Sequence, residues 1–162
     1  MKYCFTLLAL LAVGFGTLCC QPKKKATLKT KQPTVFDVIY LKRTPCMGKC
    51  PVYEAWFKSD NRLVYKGEKH MSLIGNYEYV IPPQLLKNLI YEAKKAGIQK
   101  LPADLGYAPD LPGLELMVIM DGKKKVVKTE GMMPENLKNY VKLLHEEVAG
   151  MIAEQEAIPL KE

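Results

Sequence analysis

From Val35 onward the chain shows two hydrophobic periods, and the switches between them outline a fold. Val35-Phe36-Asp37-Val38-Ile39-Tyr40-Leu41 is rich in β-branched and aromatic residues and predicts a strand buried on both faces or nearly so. Val52 to Lys58 alternates: Tyr53, Ala55 and Phe57 point toward the expected core, while Val52, Glu54, Trp56 and Lys58 point the other way. Ser59-Asp60-Asn61 supplies turn chemistry. Arg62 to Lys66 then returns as a third strand, with Leu63 and Tyr65 on its apolar side and Gly67 at its end. These strands predict an antiparallel meander. Tyr77 to Ile81 is a further strand candidate.

The period then changes. Pro82-Pro83 opens a helix, since proline costs nothing in a first turn whose N–H groups have no partner. Leu85, Leu86, Leu89, Ile90 and Ala93 form its apolar stripe, with Gly97 placed to cap the C-terminus. Leu101 to Gly113 holds three prolines and two glycines and reads as loop. Leu114 to Met120 and Lys125 to Lys128 flank Asp121-Gly122, a favoured pair for a tight hairpin. A last helix opens at Pro134 with Glu135 in its first turn, and Leu137, Val141, Leu144, Val148, Met151 and Ile152 recur at three and four residues. The pattern predicts one α+β domain over residues 34–154, with residues 155–162 a frayed tail. Its mainly antiparallel sheet has five to six strands and two hairpins, packed by two helices in the order β-β-β-(β)-α-β-β-α. No internal repeat or second domain is visible.

The first residues belong to a different class. After Lys2, the apolar run Tyr3 to Leu18 is too short for a comfortable membrane span and ends at Cys19-Cys20-Gln21-Pro22, as in a lipoprotein-type signal peptide covering residues 1–19. Cys20 is the expected site of lipidation and Cys19 the alternative; a plain signal-peptidase cut near Gly14-Phe15-Gly16, or an uncleaved anchor, remains open. Acyl chains on Cys20 would suffice for stable anchoring to a bacterial envelope membrane. Residues 20–33 then form a lysine-rich tether bounded by Pro22 and Pro33.

That tether changes the meaning of the net charge of +7. Removing Lys2, Lys23, Lys24, Lys25, Lys29 and Lys31 from the 24 basic residues leaves 18, against 17 acidic residues that all lie from Asp37 onward. The globular part is nearly neutral, so the basic tether reads as a solvated spacer near anionic headgroups, and nucleic acid is not an expected partner.

Chemistry concentrates at the corner Thr44-Pro45-Cys46-Met47-Gly48-Lys49-Cys50-Pro51-Val52-Tyr53. Cys46 and Cys50 are the two of the five cysteines that belong to the folded part, and in an exported protein such a pair normally forms a disulfide. So small a ring contributes about 2 kcal/mol by loop entropy. The alternative is a redox or cuprous site, with Met47, His70 and Met71 as soft co-ligands. Cys-x-x-x-Cys-Pro looks like the copper site of the thioredoxin-fold copper-delivery proteins of cytochrome oxidase assembly, in which the cysteines lead into a helix; here they lead into a strand. His145 reads as a surface or boundary side chain of the last helix. No Gly-x-Ser-x-Gly, His-Glu-x-x-His or phosphate-cradling glycine loop occurs, so no catalytic residue and no cofactor are expected. Trp56, on the less apolar side of its strand, is a candidate binding anchor for an envelope protein partner, unless the linker or the first helix covers it.

The same corner resembles the mark of a family of bacterial exported proteins classed as a domain of unknown function. The likeness continues through Tyr65-Lys66-Gly67, Asp110-Leu111-Pro112 and Asp121-Gly122, and covers about Val35 to Met151. Gly113 departs from the pattern, in which a threonine more usually opens the strand. The resemblance implies an exported α+β domain and no activity. The expected function is a non-enzymatic binding or structural module, stapled by Cys46–Cys50.

Overall fold

The computed structural model describes residues 38–108, 110–154 and 158–160. The expected signal peptide, Cys19, Cys20, the expected tether and Val35 to Asp37 lie outside them. Ten elements follow in order: β1 Val38–Arg43, β2 Val52–Lys58, β3 Arg62–Lys69, β4 Gly75–Val80, α1 Pro83–Lys95, β5 Asp104–Tyr107, β6 Leu114–Met120, β7 Lys123–Glu130, α2 Glu135–Glu154 and β8 Ile158–Pro159. A 3₁₀ turn, Ile98–Lys100, follows α1. The fold is α+β, with two helices on a sheet ordered β5-β7-β6-β1-β2-β3-β4-β8. Every pairing is antiparallel except β5 with β7.

The core forms on one face of this sheet. Ile39 and Leu41, Tyr53, Ala55 and Phe57, Leu63 and Tyr65, and Leu116 and Val118 are fully buried, because period two sends them all to the same side. Leu86, Leu89, Ile90 and Ala93 of α1 and Leu137, Tyr140, Val141, Leu144 and Val148 of α2 join them in one cluster. Both helices therefore cover the same face. A bulge between Val52 and Tyr53 lets two consecutive residues turn inward, which is why Val52 is buried as well.

The punctuation works as its chemistry requires. Asp121 and Gly122 both have positive φ, 51° and 75°, as the two-residue hairpin between β6 and β7 demands. Pro82 is the N-cap of α1 and Pro83 its first residue. Past the C-cap Ala96, Gly97 sits at φ 67°, and its N–H donates to the Lys94 carbonyl.

Five expectations are corrected. The sheet has eight strands rather than five or six. The stretch from Leu101 to Gly113 contains β5: its prolines flank Asp104–Tyr107 rather than interrupt it, and an edge strand can satisfy β7 on one side while its other side faces solvent. Beyond α2, where the tail reads as frayed, Ile158–Pro159 pairs with β4, and Leu160 N–H donates to the Asn76 carbonyl at 3.0 Å. Gly67 lies inside β3 instead of ending it. A Cβ there would collide with the Leu73 carbonyl oxygen and with the Tyr65 ring. Tyr65 folds over Gly67 to donate its hydroxyl proton to that carbonyl at 2.8 Å, which is the physical content of Tyr65-Lys66-Gly67. The outward side of β1 also differs from the double burial expected, since Val38 and Tyr40 are only half-buried.

Candidate functional site: the cysteine corner and the open sheet face

The corner joins β1 to β2 and is tied down at three points. At its first residue Thr44, the N–H donates to the Gly113 carbonyl at 3.0 Å, and the Gly113 N–H donates to Thr44 Oγ1 at 2.9 Å. A side chain on residue 113 would strike that hydroxyl, so Gly113 and this reciprocal pair go together. At its centre Cys46 and Cys50 form a disulfide with Cα atoms 5.8 Å apart, and Gly48 N–H donates to Cys46 Sγ. At its end Tyr53 is fully buried and shares a 3.0 Å hydrogen bond with His145 Nδ1 of α2.

His145 is thus a boundary residue with an inward task. Its ring packs on Tyr53 with centroids 5.6 Å apart. Burial first, and then the Arg43 guanidinium, push the imidazole below its ordinary pKa, so the neutral ring is favoured; Glu146 opposes this. Burial raises the Tyr53 phenol well above its usual value. Arg43 pairs in register with Tyr53, and its Nε is buried without a partner among the described residues. Ninety-two residues separate Tyr53 from His145, and no local sequence signal links them.

With the Cys46–Cys50 disulfide closed, the soft-ligand set is not assembled. The sulfurs are bonded to each other, Met47 is 81% exposed, and Met71 packs against the core. His70, exposed at φ 56°, does reach the same end of the sheet as Cys50, because Val52 lies opposite Lys69. Among the described residues no group of three or more His, Cys, Asp or Glu could hold a metal ion. The described residues enclose hollows, of which two stand out. One, of about 350 Å³, lies between Thr44, Gly113 and the edge strand β5, with Lys42, Glu115 and Glu130 on its walls. The other, of about 560 Å³, runs between α1 and α2 past Glu92, Asn139 and Leu143.

Trp56 faces away from both helices. The registers set it in a row that crosses the sheet: Val126, Met117, Tyr40, Trp56 and Val64 are successive neighbours on β7, β6, β1, β2 and β3. All five are half-buried. Tyr40 and Trp56 stack with centroids 4.8 Å apart, and the Tyr40 hydroxyl donates to Glu54 at 3.3 Å. Burial, followed by the Glu54 and Glu115 carboxylates, raises the Tyr40 phenol, so it stays a proton donor. The next row carries Lys42–Glu54 and Lys128–Glu115 ion pairs of 3.0 and 3.2 Å. Such a surface suits the burial of apolar area against another surface.

One family model, described as a domain of unknown function (DUF6438), matches residues 37–148. The chain belongs to this family. No curated protein matches it. The DUF6438 region takes in β1 through most of α2, so the corner, the Tyr53–His145 bond and the open face all fall inside it. Among the described residues of the DUF6438 chain, no helix is long and apolar enough to cross a membrane.

Proposed function

We propose that this chain is a non-enzymatic binding or structural module of a bacterial envelope, held at a membrane through an acylated Cys20, with the Cys46–Cys50 bond as a staple and the Trp56 face as its binding surface. The observation that carries the reading is the row Val126-Met117-Tyr40-Trp56-Val64, half-buried on the sheet face that neither helix covers. A partner that finishes this burial would gain about 25 cal/mol for each Å² of apolar surface removed from water. The aromatic pair supplies an anchor that loses little conformational freedom on binding.

Intact mass of the chain from its native membrane, with and without reductant, tests the anchor and the staple. Acyl mass on Cys20 and a bond that resists mild reduction are expected; free thiols at Cys46 and Cys50 would remove the staple. Hydroxyl-radical footprinting tests the face. Trp56 and Met117 should be protected in whole membranes relative to the dilute purified chain, and equal oxidation in the two states would defeat the binding reading. A second reading, copper binding or thiol exchange at Cys46 and Cys50 with His70 and Met71, draws its support from His70 lying at the corner's end of the sheet. It requires a disulfide that opens at cellular potentials, which the reductant series measures.

A further inference from the structure

We propose that the open face is a two-fold interface between two copies of this chain. The inference rests on reading that face as a binding surface, and it names the partner. Across β7, β6, β1, β2, β3 and β4 the row next to the aromatic stack runs Lys128, Glu115, Lys42, Glu54, Lys66, Asn76. Its charge changes sign at every strand from Lys128 to Lys66.

That alternation is self-complementary for one kind of symmetry. A two-fold axis parallel to the strands, set between β1 and β2, reverses the strand order and keeps each residue at its height. Lys42 then faces Glu54 of the second copy, and Glu115 faces its Lys66. In the aromatic row Tyr40 faces Trp56, and Met117 faces Val64. An axis placed over β1 itself would instead set Lys42 against Lys42 and Glu115 against Glu54, like against like. The gap between β1 and β2 is also the midpoint of the eight strands, so the same axis gives the fullest overlap of the two sheets. On the other flank Val38 and Ile119 meet the aliphatic stems of Lys58 and Arg62. The arrangement is that of an interface with an apolar centre and a charged rim.

The axis has one more property. Because it runs along the strands, both copies present the Val38 end of β1 in the same direction, so two chains anchored through Cys20 can share one membrane.

The test uses the full-length chain in its own membrane, with p-benzoylphenylalanine in place of Val64, which leaves Tyr40 and Trp56 intact. Illumination should give a product of twice the chain mass, joined from position 64 of one copy to Met117 of the other. Glu115→Lys alone, or Lys66→Glu alone, sets like charges together in both symmetric contacts and should cut the yield about tenfold or more. Producing the two variants together restores opposite charges in the mixed pair, and should restore a doubled-mass product that contains one of each. Lys66 and Glu115 lie on strands separated by β1 and β2, so this rescue cannot come from repair within one chain. Doubled mass without loss or rescue would overturn the proposal, as would a monomer-mass product joined to residues 21–37. An adduct with a different protein alone would overturn the second copy and leave the binding surface standing; no adduct, together with equal footprinting, would remove both.

Discussion

The two faces of β2 differ more than their residues suggest. Phe57, Ala55 and Tyr53 are sealed under the helices, while Trp56, the largest side chain in the strand, is left half-buried beside Glu54 and Lys58. Size did not decide which side became the core. What decided it was the company each residue keeps across the registers: Phe57 lies between Ile39 and Leu63, whereas Trp56 lies between Tyr40 and Val64 in a row bordered by ion pairs. Hydrophobicity summed over a face, rather than at any one position, tells the helices where to dock.

The comparison breaks most visibly on truncation of neighbours. Phe57→Ala should cost about 3–5 kcal/mol in urea unfolding, through lost transfer energy and an unfilled cavity. Trp56→Ala should cost about 1 kcal/mol, because half of its burial is missing to begin with. Equal losses would mean that the outer face is covered after all. Gly67→Ala sharpens the same contrast on β3. With no space between Leu73 O and the Tyr65 ring, it should cost about 1–3 kcal/mol, while Val64→Ala on the outer side should cost less.

The staple comes next. Replacing Cys46 and Cys50 by serine together should lower stability by about 2 kcal/mol or less, with the Trp56 environment unchanged in fluorescence, since the ring closes only the corner. The smallest effect concerns pH. His145 is held below its ordinary value of 6.5 in the folded chain, so the unfolded chain binds that proton more readily. Its contribution is therefore fully present above about pH 6.5 and is lost as the pH falls toward the lower folded value. The thermal stability of the wild type should fall more than that of His145→Gln as the pH drops below about 6.5. Parallel curves would show that the Tyr53–His145 bond is indifferent to protonation.

The inner face was legible because it obeys a short period. Tyr53, Ala55, Phe57, Leu63 and Tyr65 follow from alternation alone, and Leu86, Leu89, Ile90 and Ala93 from helical spacing. What escaped was whatever depends on neighbours remote in the chain. Asp104–Tyr107 carries no strand pattern of its own and becomes one by leaning on β7, with Lys128 N–H donating to the Ala103 carbonyl and Ala108 N–H to the Glu130 carbonyl. Ile158–Pro159 is a strand only because β4 is there to pair with. At the corner the cysteines announced their bond, but the grip of Thr44 on Gly113 and of Tyr53 on His145 spans 69 and 92 residues. The sign alternation on the outer face is invisible until the register sets Glu115 beside Lys42.

The shortest strands carry a consequence for assembly. With four residues at one margin of the sheet and two at the other, the second ending in a proline, neither margin offers a ladder long enough to recruit another chain strand by strand. Strand-by-strand growth into an open fibre is disfavoured by these short outer strands. The face-to-face pairing proposed above is instead closed, and stops at a fixed number of subunits.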